Sequence, residues 1–231
     1  MAAYAGTELE LFQHARNWKA YYGRFIRPFL RGDVLEVGAG IGATTEVLCD
    51  GSQQRWVCLE PDAALASRIA AERLPRCCEV MTGTTAAFPP APFFDCILYI
   101  DVLEHVEDDR DELARAAALL REGGHLIVLA PAHQALYTPF DRAIGHYRRY
   151  DRRTLAAVMP PALERVASYD LDCAGMFLSL ANRLLLRSSM PTLGQIVLWD
   201  RRFVPISRRL DPLLRYRFGK SVLEVRRKRS A

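Results

Sequence analysis

The chain has 231 residues, half of them hydrophobic and a quarter charged, with a formal net charge of +4. That length suits one sizeable domain, or one domain with a small appendage, and the composition is that of a globular protein rather than a disordered or fibrous one. No apolar run approaches the roughly 18 residues a membrane-spanning helix needs, and Glu8, Glu10, His14 and Arg16 stand where a secretory leader would be apolar, so the expected compartment is the cytoplasm.

The charge is uneven. From Arg201 onward, eleven Lys and Arg face only Asp211 and Glu224, a balance of +9, which leaves −5 on the first 200 residues. A mildly acidic body argues against a broad nucleic-acid face, and no nucleic-acid partner is expected. The six cysteines (Cys49, Cys58, Cys77, Cys78, Cys96 and Cys173) form no Cys-x-x-Cys pair. They read as free thiols rather than disulfides or zinc ligands, and no metal is expected.

In chain order, Leu11, Ala15, Trp18, Tyr22, Phe25 and Ile26 recur at helical spacing and predict a helix over 8–30, disturbed near Pro28. Residues 34–37 read as a first strand running into glycines, 44–49 as a helix stopped by Gly51, and 56–60 as a second strand. Leu65, Ile69 and Leu74 suggest a helix closed by Pro75, and 78–81 a third strand. The almost wholly apolar 94–100 fits a fourth strand covered on both faces. Asp108 or Asp109 caps a helix carrying Leu113, Ala116, Ala117 and Leu120, with Gly123-Gly124 as its stop. Residues 125–130 form strand five, Asp151 opens a helix ended by Pro160-Pro161, and 164–170 and 221–227 are strands six and seven. Alternation of this kind predicts an α/β fold, a parallel sheet with helices on both faces. The long stretch between the last two strands reads as a helical insert with Phe177, Leu178, Leu180, Ala181, Leu184 and Leu185 on one apolar face.

The strongest motif is VLEVGAGIG, 34–42. A strand delivers the chain to Gly38, Gly40 and Gly42, which allow a sharp turn and close approach to a ligand. The spacing is G-x-G-x-G, not the G-x-G-x-x-G of dinucleotide binders. Glu36 precedes the glycines, and Glu60 ends the second strand. This suits S-adenosylmethionine (SAM), which has no pyrophosphate to cradle. Its ribose diol can donate to a carboxylate, and its amino group and sulfonium tolerate acidic surroundings.

Together with Leu59-Glu60-Pro61, Phe94-Asp95, Asp101-Val102-Leu103-Glu104-His105-Val106 and Leu120-Arg121-Glu122-Gly123-Gly124, the motif resembles the class I SAM-dependent methyltransferases over roughly residues 8–228. The resemblance implies a Rossmann-like sheet of seven strands in the order 3-2-1-4-5-7-6 with strand seven antiparallel, and a helical cap inserted between strands six and seven. It implies one domain: an N-terminal helical lid (1–30), a SAM-binding core (31–172), the cap (173–218), and a last strand with a basic tail (219–231). SAM, leaving as S-adenosylhomocysteine, would lie across the ends of strands one, two and four. Glu36 and the backbone of Gly38, Ala39, Gly40 and Gly42 would hold its methionine end. Glu60 would bind the ribose, Pro61 or Asp62 would flank the adenine, and Asp101 and Val102 would line the reactive centre. Many relatives carry an acid after the glycine that follows strand three. Here the segment is Gly83-Thr84-Thr85-Ala86, so Thr84 or a backbone group takes that contact. Trp18 reads either as a lid on the cofactor or as core, and His105 either as a wall of the site or as a histidine at a helix start.

The acceptor side follows strand five, in PAHQALYTPFDRAIGHYRRYD. This run is similar to one in small-molecule and glycan- or lipid-pathway methyltransferases. His146 or His133 could act as general base with Asp141 beside it, where the acceptor must lose a proton. Tyr137, Arg148, Arg149 and Tyr150 are candidate acceptor contacts, the arginines suiting a carboxylate or phosphate. Their alternative is pairing with Asp141, Glu107 or Asp111. Asp151 suits a helix N-cap, with Tyr150 and Leu155 as a hydrophobic staple. The cap's apolar residues (Met176, Phe177, Leu180, Leu184, Leu198, Trp199 and Phe203) with flanking arginines admit a packed lid, a peripheral membrane contact or a homodimer contact. The expected partner is a small-molecule acceptor, anionic or partly apolar. An RNA or other macromolecular acceptor, and a non-catalytic SAM-binding role, are the alternatives.

Overall fold

A computed structural model describes residues 7–69, 73–181 and 191–229. Its centre is a single sheet of β1 (Asp33–Val37), β2 (Arg55–Glu60), β3 (Cys78–Thr82), β4 (Phe94–Ile100), β5 (Leu120–Pro131), β6 (Leu163–Leu171) and β7 (Ser221–Lys228), in the order β3-β2-β1-β4-β5-β7-β6. Strands β1 to β5 pair in parallel, and β7 runs antiparallel to β5 and β6. This is the expected topology.

Alternate residues of the central strands serve two cores. Trp56, Cys58, Cys96, Leu98, Ile127 and Leu129 face one side, with Trp18, Tyr21, Tyr22, Ile26 and Trp199 packed over them. Leu35, Val57, Ile97, Tyr99, Leu126 and Val128 face the other, beneath Leu103, Leu113, Ala116 and Leu155. A period of two thus becomes two buried faces, because both sides of a parallel sheet are covered.

The predicted first helix is divided. α1 (Thr7–Phe12) and α2 (Arg16–Ile26) are separate, and a 3-10 turn at Arg27–Phe29 accommodates Pro28. The division has a long-range cause: the Asp200 carboxylate accepts the backbone N–H groups of Asn17 (3.2 Å) and Trp18 (2.9 Å), capping α2 from the far end of the chain. α3 is Thr45–Leu48, and α4, capped by Asp62, is the short Ala63–Ala66 rather than a helix reaching Leu74. α5 (Asp109–Leu119) has Asp108 as its cap.

Gly123-Gly124 does not stop α5. The helix ends at Leu119 and the chain passes straight into β5, where the glycines form an irregularity between the Phe94–Leu120 and Cys96–His125 pairs. A Cβ on Gly124 would stand 2.9 Å from the Arg121 carbonyl oxygen and 3.1 Å from that of Asp95. The glycine therefore serves a close approach of backbones within the sheet.

α6 (Pro139–Ala143), absent from the predicted elements, precedes α7 (Arg152–Val158), which Asp151 caps through the Thr154 N–H at 2.7 Å. Tyr150 and Leu155 are both buried, as the staple requires. Between β6 and β7 lie α8 (Cys173–Ala181), α9 (Leu193–Leu198), a π-helical turn (Trp199–Phe203) and α10 (Val204–Leu213). The proposed apolar face is only partly packed: Leu178 meets the core, whereas Phe177 and Leu180 are exposed. Leu184 and Leu185 lie outside the described residues. The cysteines are all free thiols.

Two buried carboxylates fasten this insert to the sheet. Asp211 accepts from the Tyr21 hydroxyl (2.7 Å) and from the backbone N–H groups of Asp172 (2.7 Å) and Cys173 (3.0 Å). Asp172 accepts from Trp199 Nε1 (2.8 Å), Ser207 Oγ (2.5 Å) and the Gly175 N–H (3.0 Å). Asp211→Ala strands three buried donors, so urea denaturation is expected to show a loss of roughly 3 kcal/mol or more. A change below about 0.5 kcal/mol, the level of a neutral surface substitution, would show that the network is not what holds the insert.

Candidate active site

The glycine turn comes first. Gly38, Gly40 and Gly42 all have positive φ (69°, 57° and 79°). A Cβ at Gly38 would come within 2.6 Å of Val102 Cγ2. The turn is drawn on to the end of β2: the N–H groups of Gly38 and Ala39 donate to the Leu59 carbonyl at 2.8 and 3.1 Å, and that of Gly40 to Glu60 Oε2 at 2.8 Å. Glu60 Oε1 accepts the Asp62 N–H at 3.0 Å. Burial raises the Glu60 carboxyl, and these two amides offset part of the rise. Each of its oxygens keeps a further lone pair for a ligand hydroxyl.

Glu36 is buried below the turn, its Oε2 accepting from Thr45 Oγ1 (2.6 Å) and Trp56 Nε1 (2.9 Å). Burial lifts its carboxyl to about 7 against the pull of those two donors. Pro61 and Thr84 are exposed at the same edge, and Thr85 turns inward to Glu112 at 2.9 Å. Trp18 packs edge-on against Tyr22, with ring centres 5.4 Å apart, and also touches Tyr21 and Trp199. It is built into the core.

The ends of β4, β5 and β6 share an unusual feature. Asp101, His133 and Asp172 follow these strands with φ of 54°, 63° and 70°, a conformation uncommon outside glycine. Asp101 is exposed at the end of β4, with protein packed closely around its carboxyl. Its carboxyl is raised by desolvation and drawn back by Lys220, His146, Lys19 and Arg149. Burial lowers Lys19 to about 8, against the pull of Asp101 and Asp200. Lys220, also lowered by burial, lies 3.5 Å from the centre of the Trp199 ring and 3.6 Å from Asp172.

Around these groups the acceptor run closes. Asp141 is fully buried. It accepts from His146 Nδ1 (3.0 Å), Arg149 Nε and Nη2 (2.7 and 3.0 Å), and the Thr138 N–H and hydroxyl (both 2.8 Å). Burial raises its carboxyl, but the bonds from His146 and Arg149 prevail and hold it well below the usual range. A carboxylate so occupied orients its neighbours and takes no proton near neutrality. The Tyr137 hydroxyl donates to the His146 carbonyl at 2.6 Å and fixes the loop. A cleft of about 340 Å³ lined by Tyr137, Thr138, Pro139, Arg142 and Ala143 opens beside α6.

His105 packs edge to face on His146, with ring centres 4.5 Å apart, and burial followed by the neighbouring imidazole lowers it to about 4. Glu104, which sequence reasoning passed over in favour of His105, is 1% exposed. Its oxygens have no hydrogen-bond partner among the described residues. Burial, and then Asp101, raise its carboxyl.

Other candidates stand apart. Arg148 pairs with Asp109 (2.6 Å) and the Glu107 carbonyl (2.7 Å), and the buried Tyr150 hydroxyl donates to Asp109 at 2.7 Å. These contacts join the loop to α5. His133 sits near Asp151 and Asp170 instead of His146. The basic tail is divided as well. Arg226 pairs with Glu224, Lys228 donates to the Ala117 and Leu120 carbonyls, and Lys220 faces inward, while Arg201, Arg202, Arg208, Arg209, Arg215 and Arg217 are exposed. No helix among the described residues is long and apolar enough to cross a membrane.

Glu36 generates a pH prediction. Its folded-state pKa of about 7 lies above the ordinary 4.5. Its contribution to stability is therefore full below about 4.5 and is lost as pH rises through 7, by roughly 3 kcal/mol. Urea denaturation without SAM should find Glu36→Gln, which stays neutral, increasingly stable relative to the parent between pH 5 and 8. Parallel pH profiles would contradict the assignment.

Comparison with known proteins agrees with the fold and its motifs. Residues 12–161 match the family model of a methyltransferase domain. A demethylmenaquinone methyltransferase of Tropheryma whipplei is 29% identical over 171 residues, covering 73% of this chain and 66% of the relative. A probable SAM-dependent methyltransferase of Mycolicibacterium smegmatis is 26% identical over 163 residues, covering 70% and 62%. The matched part thus spans just under two thirds of these relatives' length. The N-methyltransferase NodS of Bradyrhizobium japonicum, solved with S-adenosylhomocysteine, superposes with a TM-score of 0.58 at 18% identity over 92% of this chain and 87% of that one. With the family model covering more than half of the sequence, the chain belongs to the methyltransferase domain family, the class I SAM-dependent methyltransferases.

Proposed function

We propose that the chain methylates a small, partly apolar molecule at a hydroxyl or acidic carbon that loses its proton in the reaction. The acceptor meets the end of the sheet where Asp101, Glu104, His105 and His146 converge. In the transfer the methyl–sulfur bond breaks with its electron pair going to sulfur, and the acceptor atom bonds the methyl carbon from the opposite side. Position and exclusion of water supply much of the acceleration, and an acceptor of this kind also needs groups that manage its proton.

The observation that carries this reading is the Asp141–His146 pair. Asp141 holds His146 Nδ1, so the other ring nitrogen is directed toward Glu104. His133 has no such orientation toward the cluster. The quinone named for the Tropheryma whipplei relative supports an acceptor of partly apolar character. The insert closes the acceptor side, with Trp199 and Asp172 lodging Lys220 beside Asp101. On the cofactor side, Glu60 takes the ribose hydroxyls, Glu36 and the glycine turn the methionine end, and Asp101 and Val102 the region of the sulfonium. An RNA acceptor is less favoured, because part of the basic tail is spent on internal pairs.

Two variants test the two halves of the site. Glu60→Ala should weaken SAM binding by roughly 1–3 kcal/mol in calorimetry, the scale of a lost charged hydrogen-bond partner. Unchanged affinity would refute its role. His146→Ala should lower turnover on an accepted small molecule by about 10²-fold or more while SAM affinity stays within about twofold. Equal loss of both would make His146 a structural residue.

A further inference from the structure

A carboxylate buried without partners is costly, and folded proteins pair such charges or give them to a metal. Glu104 is 1% exposed and neither oxygen has a hydrogen-bond partner among the described residues. His146 Nε2 stands 3.8 Å from Glu104 Oε1, too far for a hydrogen bond. One ligand atom from each of Glu104, His105 and His146 lies within 4.8 Å of the others. Two ligands of one ion, each about 2.1 Å from it in tetrahedral geometry, stand ~3.4 Å apart. The gap at Glu104 is slightly wider than that, within reach of a small side-chain adjustment.

Both imidazoles are held from outside the cluster. His146 gives Nδ1 to Asp141 Oδ1 at 3.0 Å, and His105 shares a hydrogen bond with the Gly145 backbone. Outer hydrogen bonds of this kind, from a carboxylate and from backbone, set the tautomer and aim of histidine ligands in metal sites. Gly145 has φ of 83°, which turns the chain so that His146 faces back toward Glu104.

The geometry points to a divalent-cation site formed by Glu104, His105 and His146. Two imidazoles and one carboxylate suit a first-row ion of the Zn²⁺, Fe²⁺ or Mn²⁺ class and leave positions open for a further ligand. The inference rests on the reading that the acceptor comes to this end of the sheet. The acceptor's hydroxyl or enol oxygen takes an open position and releases its proton to water. The exposed lone pair of the acceptor then bonds the methyl carbon while the carbon–sulfur pair returns to sulfur. His146 Nε2 acts as a ligand in this scheme, and the proton does not pass to it.

The test uses the full chain, stripped with EDTA and titrated with Co²⁺, followed by visible absorption and melting temperature, with SAM titrated separately by calorimetry. One Co²⁺ per chain is expected, with weak visible ligand-field bands. Glu104→Gln should bind it at least tenfold more weakly while keeping SAM affinity within about twofold. Co²⁺ should raise the melting temperature of wild type and leave that of Glu104→Gln unchanged. The proposal is overturned by absence of saturable visible bands, or by Co²⁺ binding that Glu104→Gln leaves intact. It is equally overturned by a sulfur-to-cobalt near-ultraviolet band alone, which would place the ion at Cys49, Cys77 and Cys78, where the Cys49 sulfur lies 3.6 Å from that of Cys77 and 3.4 Å from that of Cys78. If Glu104→Gln weakens SAM and leaves Co²⁺ unaffected, the carboxylate belongs to the sulfonium instead. SAM binding without Co²⁺ binding removes the cation site and spares the methyltransferase reading, whereas failure to bind SAM removes that reading.

Discussion

At Gly38 there is no room for a side chain, because the chain leaving β1 must pass against Val102 at the end of β4. That close approach brings the ends of β1, β2 and β4 to one edge. With the backbone turned by three left-handed glycines, the Gly40 amide reaches the Glu60 carboxylate and the Gly38 and Ala39 amides reach the Leu59 carbonyl. The same turn leaves Glu36 buried beneath it. Thr45 and Trp56 hold that carboxylate without neutralising it, so the fold keeps an acid whose ionisation a cationic ligand would favour. The edge proposed to take the cofactor therefore follows from a steric constraint at one residue.

A second constraint comes from the far end of the chain. The insert between β6 and β7 supplies Asp200 to the start of α2 and Asp211 to Tyr21 in the middle of it. Neither contact is a surface ion pair. Each carboxylate satisfies backbone amides or a buried hydroxyl that would otherwise lose water without replacement. The N-terminal helix and the insert are thereby tied to each other, and Lys19 and Lys220 both draw on the Asp101 carboxyl. Two lysines therefore act on Asp101, whereas neither Glu104 oxygen has a hydrogen-bond partner among the described residues.

Most of the fold was legible because it depends on local pattern. β4 was bounded by its apolar run and the cap of α7 by Asp151, whereas the sheet order followed only from the family resemblance that the motifs carry. What the sequence hid depends on distant pairs. No local signal marks a cap for α2 that lies on Asp200. Gly123-Gly124 looks like a helix stop, since a glycine required by the approach of two strands is indistinguishable from one required by a turn. Within the site, His146 and Asp141 could be singled out from their spacing, whereas Glu104 could not. A glutamate in an apolar stretch reads as a paired or surface group, and only the fold reveals that neither of its oxygens has a hydrogen-bond partner among the described residues.

The run around His146 shows how one short segment can hold opposite roles. Arg149 neutralises Asp141 from one side and Thr138 closes it from the other, so this acid is fixed in its ionised form. Arg148 turns the other way, to Asp109, and with Tyr150 ties the loop to α5. The two adjacent arginines thus act as anchors in different directions, and His146 is held by Asp141, the same carboxylate that Arg149 binds. An imidazole so anchored loses little freedom when it meets a ligand. The cost of ordering it has been met in folding, which is the condition under which a polar cluster at a strand end can act on a bound molecule instead of merely surviving burial.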